Sequence, residues 1–287
     1  MMRTFSFLLL TAAAAGILLS GCRAAPKADH RLGKYAPEAS EECCLLFYKA
    51  NRFKLHPNRQ YAVFNTTPIQ LPAAPFYNAD KVYSVTPMTL RNIIEPLMTG
   101  VVSRGAVRRI LLDPGHGGHD GGAAGKISRE KELNFLLALE IRKALHQAGF
   151  QVDMTRSADI YLTLPARVAM VKKVKADLFI SVHHNSSRTN LQAAGIECFA
   201  PKTPRPEDTL LAAMIQQELI RATRRTNRGV KFANFAVLRN NPVPAVLIEA
   251  GFISNTAEEA TLVSPRYRAE VAQAVARAVT AFAEKRL

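Results

Sequence analysis

Cysteine is scarce in this 287-residue chain, with four in all, which excludes a disulfide-dense scaffold. Glycine and proline are also sparse, at 15 and 16 residues, so a collagen-like or low-complexity protein is excluded. Acidic residues are few as well: 23 aspartates and glutamates face 38 lysines and arginines, a formal charge of +15. No internal repeat recurs at solenoid periods. What is present is 48% hydrophobic and 21% charged residues, enough to bury a core and too apolar for a wholly disordered chain. The length suits two domains or one large α/β domain. The positive surplus points to an anionic partner, whether nucleic acid, an anionic membrane surface or an acidic polymer.

Residues 1–22 read MMRTFSFLLLTAAAAGILLSGC, with Arg3 as a short positive region and an apolar run through Leu19. The small residues Ser20-Gly21-Cys22 close it, which is the layout of a secretory signal. LLSGC resembles the lipobox of bacterial lipoproteins, and that resemblance implies acylation of Cys22, which becomes the new N-terminus. The alternatives are ordinary secretion and an uncleaved anchor helix, since the apolar run nearly spans a bilayer. In each case the chain is exported, and chromosomal DNA falls away as the partner of the charge. Removal of residues 1–21 takes away only Arg3 and leaves +14. Adjacent Cys43 and Cys44 are poorly placed to bond each other, and Cys198 stands apart, so unpaired thiols are expected.

Residues 22–40 are polar, carry Pro and Ala, and read as a tether. Residues 41–105 hold short strand-like runs, Tyr61–Phe64 and Lys81–Val85, punctuated by prolines. They read as an accessory region, either a small subdomain or an extended arm. From Val107 the pattern becomes regular. Strands are expected at 109–112, 150–152, 177–182, 195–199, 233–238 and 245–248, and helices at 133–148, 164–174, 207–225 and 266–285. Strands alternating with helices predict an α/β fold with a largely parallel sheet covered on both faces, over residues 106–287. Ligands in such sheets sit beyond the carboxyl ends of the strands.

Three polar clusters fall at those ends: Asp113-Pro114-Gly115-His116-Gly117-Gly118, His183-His184-Asn185 and Glu249-Ala250-Gly251-Phe252. A fourth, Arg129-Glu130-Lys131-Glu132, precedes the first long helix. Two histidines and a carboxylate on an open face suit a hydrolytic zinc site, which needs three protein ligands and a free position for water. By spacing alone each has a plainer reading. A strand-end histidine is commonly a satisfied polar residue, Glu130 can favour a helix N-terminus, and Glu249 can pair with an arginine.

LLDPGHGGHDGGAAG, SREKELN, ADLFISVHHNSS and PAVLIEAGFISN resemble, in order, the four motif blocks of the zinc-dependent N-acetylmuramoyl-L-alanine amidases of the amidase_3 family. The resemblance covers about residues 107–287. It implies a mostly parallel six-stranded twisted sheet flanked by helices, and hydrolysis of the amide between N-acetylmuramic acid and L-alanine in peptidoglycan. It further implies a role in cell-wall remodelling and daughter-cell separation in the cell envelope. Position by position, it places zinc on His116, Glu130 and His183, with Glu132 the competitor of Glu130. Glu249 falls on the general base. His184 stands where relatives carry a small residue. Successive strand side chains point opposite ways, so only one of His183 and His184 should face the metal. His119 reads as rim.

Residues 184–244 hold two strands and one helix's worth of sequence, which leaves little room for the inhibitory helical segment of some relatives. A site open without an activator protein is expected. The positive charge then has two counterparts, stem-peptide carboxylates and anionic lipid at the anchoring membrane. Arg221, Arg224, Arg225 and Arg228 read as a solvated helix face. Two other functions compete. Ser128 and Lys131 fit the S-x-x-K pattern of penicillin-binding proteins, an added carboxypeptidase activity. A wall-binding lipoprotein without catalysis is the second.

Overall fold

The computed structural model describes residues 27–40, 42–78, 82–102 and 105–286; the stretch read as a secretory signal, with Cys22, lies outside them. Eight short strands come first: β1 (Lys27–Ala28), β2 (Glu38–Ala39), β3 (Cys44–Tyr48), β4 (Asn51–Leu55), β5 (Tyr61–Phe64), β6 (Thr67–Gln70), β7 (Phe76–Tyr77) and β8 (Val82–Ser84). A helix follows in three pieces, α1 (Pro87–Thr89), a π-helical stretch at Leu90–Ile94 and α2 (Glu95–Thr99). The remainder alternates: β9 (Arg109–Pro114), α3 (Glu130–Gln147), β10 (Gln151–Met154), α4 (Leu164–Val174), β11 (Leu178–Asn185) and β12 (Ile196–Pro201). It ends with α5 (Pro206–Thr223), β13 (Asn227–Ala233), β14 (Ala245–Phe252), α6 (Thr256–Leu262) and α7 (Pro265–Arg286).

The later strands lie in the order β10-β9-β11-β14-β12-β13. The first four run parallel, β12 is antiparallel to β14, and β13 is parallel to β12. Beyond β13 the sheet continues through β6-β5-β4-β3-β2, an antiparallel meander. One mixed eleven-stranded sheet therefore stands where a mostly parallel six-stranded one was expected. Apolar periodicity marks a strand but carries no information about its direction or its neighbour. The two parts meet where Val230 pairs with Ile69. Gly229, at φ +81°, allows that approach, because a Cβ there would lie 2.1 Å from the Pro68 carbonyl oxygen.

Alternation along the central strands assigns each side chain to a layer. Ile110, Leu112, Ile180, Val182, Val246 and Ile248 join the main core, beneath Leu137 and Ile141 of α3, Ile215 of α5 and Val275 of α7. Leu111, Phe179 and Leu247 face the other way, into a smaller core with Val171 of α4. By the same parity Asp113, His183 and Glu249 belong to the α4 side, and His184 to the α3 side.

The main core runs on without a break into the N-terminal region, through Leu46, Phe53, Phe64 and Ile69. Each such buried side chain is worth about 1.5–3 kcal/mol against exposure. Asn92 donates to the Pro204 carbonyl at 2.9 Å, and Asn51 to that of Met98 at 2.7 Å. Residues 27–40, within the stretch read as a tether, form β1, a 3-10 helix at His30–Tyr35 and β2, with Leu32 and Tyr35 fully buried. The strand expected at 233–238 is displaced. β13 ends at Ala233, and Phe235–Asn240 turn, with Leu238 and Arg239 amides donating to the Phe235 carbonyl. Val237 and Leu238 are apolar because they plug the smaller core from that turn. Arg225 and Arg228, expected on a solvated helix face, lie past α5 and pair with buried Glu258 and Glu197. Cys43, Cys44 and Cys198 are free thiols. Among the described residues no helix is long and apolar enough to cross a membrane.

Candidate metal centre

β9 delivers Asp113 and Pro114 to the carboxyl edge of the sheet, and the chain then turns sharply through Gly115-His116-Gly117-Gly118. His116 itself adopts a left-handed backbone, φ +62°, flanked by Gly117 at +132° and Gly118 at +59°. For a residue with a Cβ this conformation costs free energy, and the surroundings must hold it in place. Two buried arginines do so. Arg167 donates to the carbonyls of Pro114 at 2.9 Å and His116 at 2.8 Å. Arg156 donates to those of Pro114 at 3.0 Å and Gly115 at 3.1 Å. The Asp113 carboxylate balances Arg167 at 2.8 Å and accepts from Thr155 at 2.7 Å and Ser181 at 2.9 Å.

The loop before α3 is tied from elsewhere. The Glu259 carboxylate of α6 accepts from the backbone amides of Lys126, Ile127 and Ser128 at 2.9, 3.0 and 2.9 Å, and from the Ser128 hydroxyl at 2.7 Å. Those bonds hold its pKa low against the upward push of burial. With the loop fixed, Glu130 enters the first turn of α3 facing inward.

His116, Glu130 and His183 converge there, their candidate ligand atoms all within 4.8 Å of one another. His116 Nε2 lies 3.1 Å and His183 Nδ1 2.9 Å from Glu130 Oε1. Burial alone would raise Glu130, but the hydrogen bonds to the two imidazoles outweigh it and hold the carboxyl well below the usual range. Burial likewise works against a charged His116, and the bonds to Glu130 and Asp120 overcome it, raising its pKa. Asp120 meets His116 Nδ1 at 2.9 Å, which leaves Nε2 for the centre, an outer carboxylate orienting a ring as metal-binding histidines commonly have. Space is made by glycine: a Cβ on Gly115 would sit 2.2 Å from the His183 ring, and one on Gly122 2.7 Å from Glu130 and from His116.

His184 goes to the opposite face, as strand alternation requires. It is buried, its Nδ1 lies 2.8 Å from Asn134 Oδ1, and desolvation pushes its pKa down to about 4. Glu132 is exposed on α3 and takes no part. His119 is exposed and leans on the Tyr161 ring at 4.1 Å. Ser128 and Lys131 are not brought together. The Ser128 hydroxyl is spent on Glu259, and Lys131 Nζ on the Gly118 carbonyl at 2.9 Å and Asp159 at 2.6 Å.

Glu249 stands beside His183 in the parallel register of β11 and β14. Its Oε2 is shielded from solvent and has no hydrogen-bond partner among the described residues. Burial, then the charges of Glu130 and Glu197, push its pKa well above the carboxylate range, and Lys231 opposes them. Glu197, directly across in β12, is itself neutralised by Arg228 at 2.7 Å and Lys231 at 2.5 Å. A cavity of about 380 Å³ opens over His116, His183 and Glu249, walled by Tyr161, Leu162 and Phe235. Sequence reading missed Arg156, Arg167 and Glu259, whose roles depend on contacts between distant segments, and Asp120, whose partner His116 lies only four residues away.

A histidine–glutamate–histidine group that can hold a metal, facing a carboxyl with a free oxygen, is an arrangement suited to hydrolysis. The comparisons agree. The Amidase_3 family, N-acetylmuramoyl-L-alanine amidase, matches residues 110–281. A probable cell wall amidase, LytH of Staphylococcus saprophyticus, is 35% identical over 179 residues, covering 61% of this chain and 58% of that protein. The N-acetylmuramoyl-L-alanine amidase LytC of Bacillus subtilis is 32% identical over 66% of this chain but only 38% of its own length. The chain thus spans well under two thirds of these curated relatives. The catalytic domain of CwlV, an N-acetylmuramoyl-L-alanine amidase from Bacillus (Paenibacillus) polymyxa var. colistinus, superposes with a TM-score of 0.59 at 35% identity, covering 62% of this chain and 99% of that domain. With its matched segment spanning the central strands, the triad and Glu249, the chain belongs to the Amidase_3 family of N-acetylmuramoyl-L-alanine amidases.

Proposed function

We propose that the protein is a zinc-dependent N-acetylmuramoyl-L-alanine amidase that cleaves the amide joining N-acetylmuramic acid to the L-alanine of the stem peptide. The carrying observation is the convergence of His116, Glu130 and His183 beside the unpartnered oxygen of Glu249. A two-histidine, one-carboxylate donor set fits zinc, and the glycines at 115 and 122 leave room around it. When bound there, the metal polarises the scissile carbonyl and acidifies a water molecule. Glu249, whose carboxyl the positive charge of a metal held there would return to its ionised form, takes the proton from the attacking water as the water oxygen bonds to the lactyl carbonyl carbon. The C–N bond then breaks, and Glu249 returns the proton to the departing alanine nitrogen. Asp120 keeps the His116 ring in one orientation throughout, and Tyr161 and Phe235 narrow the access of bulk water.

The order of elements supports action without an activator, since only β12, α5 and β13 lie between β11 and β14. LLSGC supports export and lipid attachment at Cys22, placing the enzyme on a membrane of the envelope with peptidoglycan in reach. Mass spectrometry of digested muropeptides tests the activity. Zinc-loaded protein alone should release intact stem peptides, a chelator should abolish release, and added zinc should restore it. Folded, zinc-loaded protein that releases none overturns the reading in favour of a wall-binding role.

A further inference from the structure

A second hollow, of about 530 Å³, shares no lining residue with the Glu249 cavity yet abuts the same triad. The link is Gly122, which lines this hollow and lies so near Glu130 and His116 that a Cβ would touch both. Beside it, Ala123 donates its amide to Glu130 Oε2 at 2.9 Å. The facing wall is Ser186, Ser187, Arg188 and Ser254. That wall is pinned by its own backbone: the Ser187 amide donates to Ser254 Oγ at 2.9 Å, and the Asn190 amide to Ser187 Oγ at 3.0 Å.

Arg188 differs from the arginines that brace the centre, and from Arg129, which is also exposed but lines neither cavity. Arg156, Arg167, Arg225 and Arg228 are all bonded to carbonyls or carboxylates. Arg188 is exposed and has no hydrogen-bond or ion-pair partner among the described residues. A fixed loop therefore offers a free guanidinium, flanked by hydroxyls, beside the reacting centre. Planar guanidinium is suited to binding a carboxylate by two parallel hydrogen bonds.

We propose that this hollow is the subsite for the stem peptide, with Arg188 binding one of its carboxylates; the inference rests on the amidase reading. The chemistry of the substrate assigns the sides. The lactyl carboxyl is consumed in the scissile amide and the sugars are neutral, so negative charge lies on the peptide beyond the alanine. The Glu249 cavity is the more apolar of the two and carries Asp120 and Glu249, which disfavour a second carboxylate. It is left for the glycan.

The test uses the zinc-loaded full chain on two soluble muropeptides, one with free stem carboxylates and one with them amidated. On the free-acid substrate Arg188→Ala should raise KM about fivefold with kcat little changed, the scale of a solvent-exposed ion pair. Arg188→Lys should recover part of that loss, and added salt should shrink it. On the amidated substrate Arg188→Ala and wild type should share one KM. Equal losses on both substrates, or no loss on either, overturn the subsite while leaving the amidase reading intact. Wild-type protein that cleaves neither substrate overturns both.

Discussion

Strands β9, β11 and β14 end in Asp113–His116, His183–Asn185 and Glu249–Phe252, whereas the meander strands end in two-residue turns such as Lys49-Ala50 and Asn65-Thr66. Both sets belong to one sheet and one continuous core. Parallel strands send every carboxyl end to the same edge, and each long crossover frees the loop after it to carry polar groups. A hairpin spends its loop on turning the chain, and Lys49 and Asn65 accordingly sit at φ +53°. Among the described residues the one group suited to a metal lies in the parallel part. Chemistry follows strand direction here.

The contrast is sharpest under Glu249→Gln. Activity should fall about 10²- to 10⁴-fold, with bound zinc and thermal unfolding unchanged. Retained turnover would remove Glu249 from the reaction. Next in size is Arg167→Met, which leaves Asp113 buried and unpaired; the loss should be about 3–5 kcal/mol in denaturant unfolding. A loss below 1 kcal/mol would mean that the β9 turn holds its shape without the arginine. Gly229→Ala attacks the seam between the halves. It should cost about 1–3 kcal/mol and speed amide exchange in β5 and β6 while β9 and β11 stay protected. Uniform acceleration would show that the halves open as one unit.

The smallest effect concerns acid. Asp29, bonded to Arg31 at 3.0 Å and to its backbone amide at 2.9 Å, has its pKa lowered from 3.8 to about 2, chiefly by the arginine side chain. A depressed folded-state pKa means that its contribution is complete above about pH 4 and fades as pH falls through 3.8 towards 2. Asp29→Asn should flatten that part of the stability profile. An unchanged slope in the variant would assign the acid sensitivity elsewhere.

How much of this was legible depended on whether the signal was local. Strand parity separated His183 from His184, which the structure turns to different partners; the SREKELN block offered both Glu130 and Glu132, and Glu130 is the one that lies against the two histidines. α4 spans Leu164–Val174 as its periodicity indicates. Tyr61–Phe64, a strand-like run in the sequence, is β5, but the direction of β12, the joining of the meander to β13 and the turn at Phe235–Asn240 were not legible, because each is set by contacts between remote segments. The same holds for Arg156 and Arg167, which look like any other basic residues until their carbonyl partners are in place. Glu259 lies 131 residues from Ser128 in the chain, and no spacing rule links them.

The joining of β6 to β13 has a further consequence. Without the N-terminal strands, β13 would be the last of its sheet and would present a row of unpaired amides and carbonyls to solvent, a ready template for intermolecular pairing. A shortened protein lacking those strands should retain its reacting groups and yet self-associate. The N-terminal strands thus cover an edge that the strands bearing the candidate metal group would otherwise leave open, a service that requires no chemistry of their own.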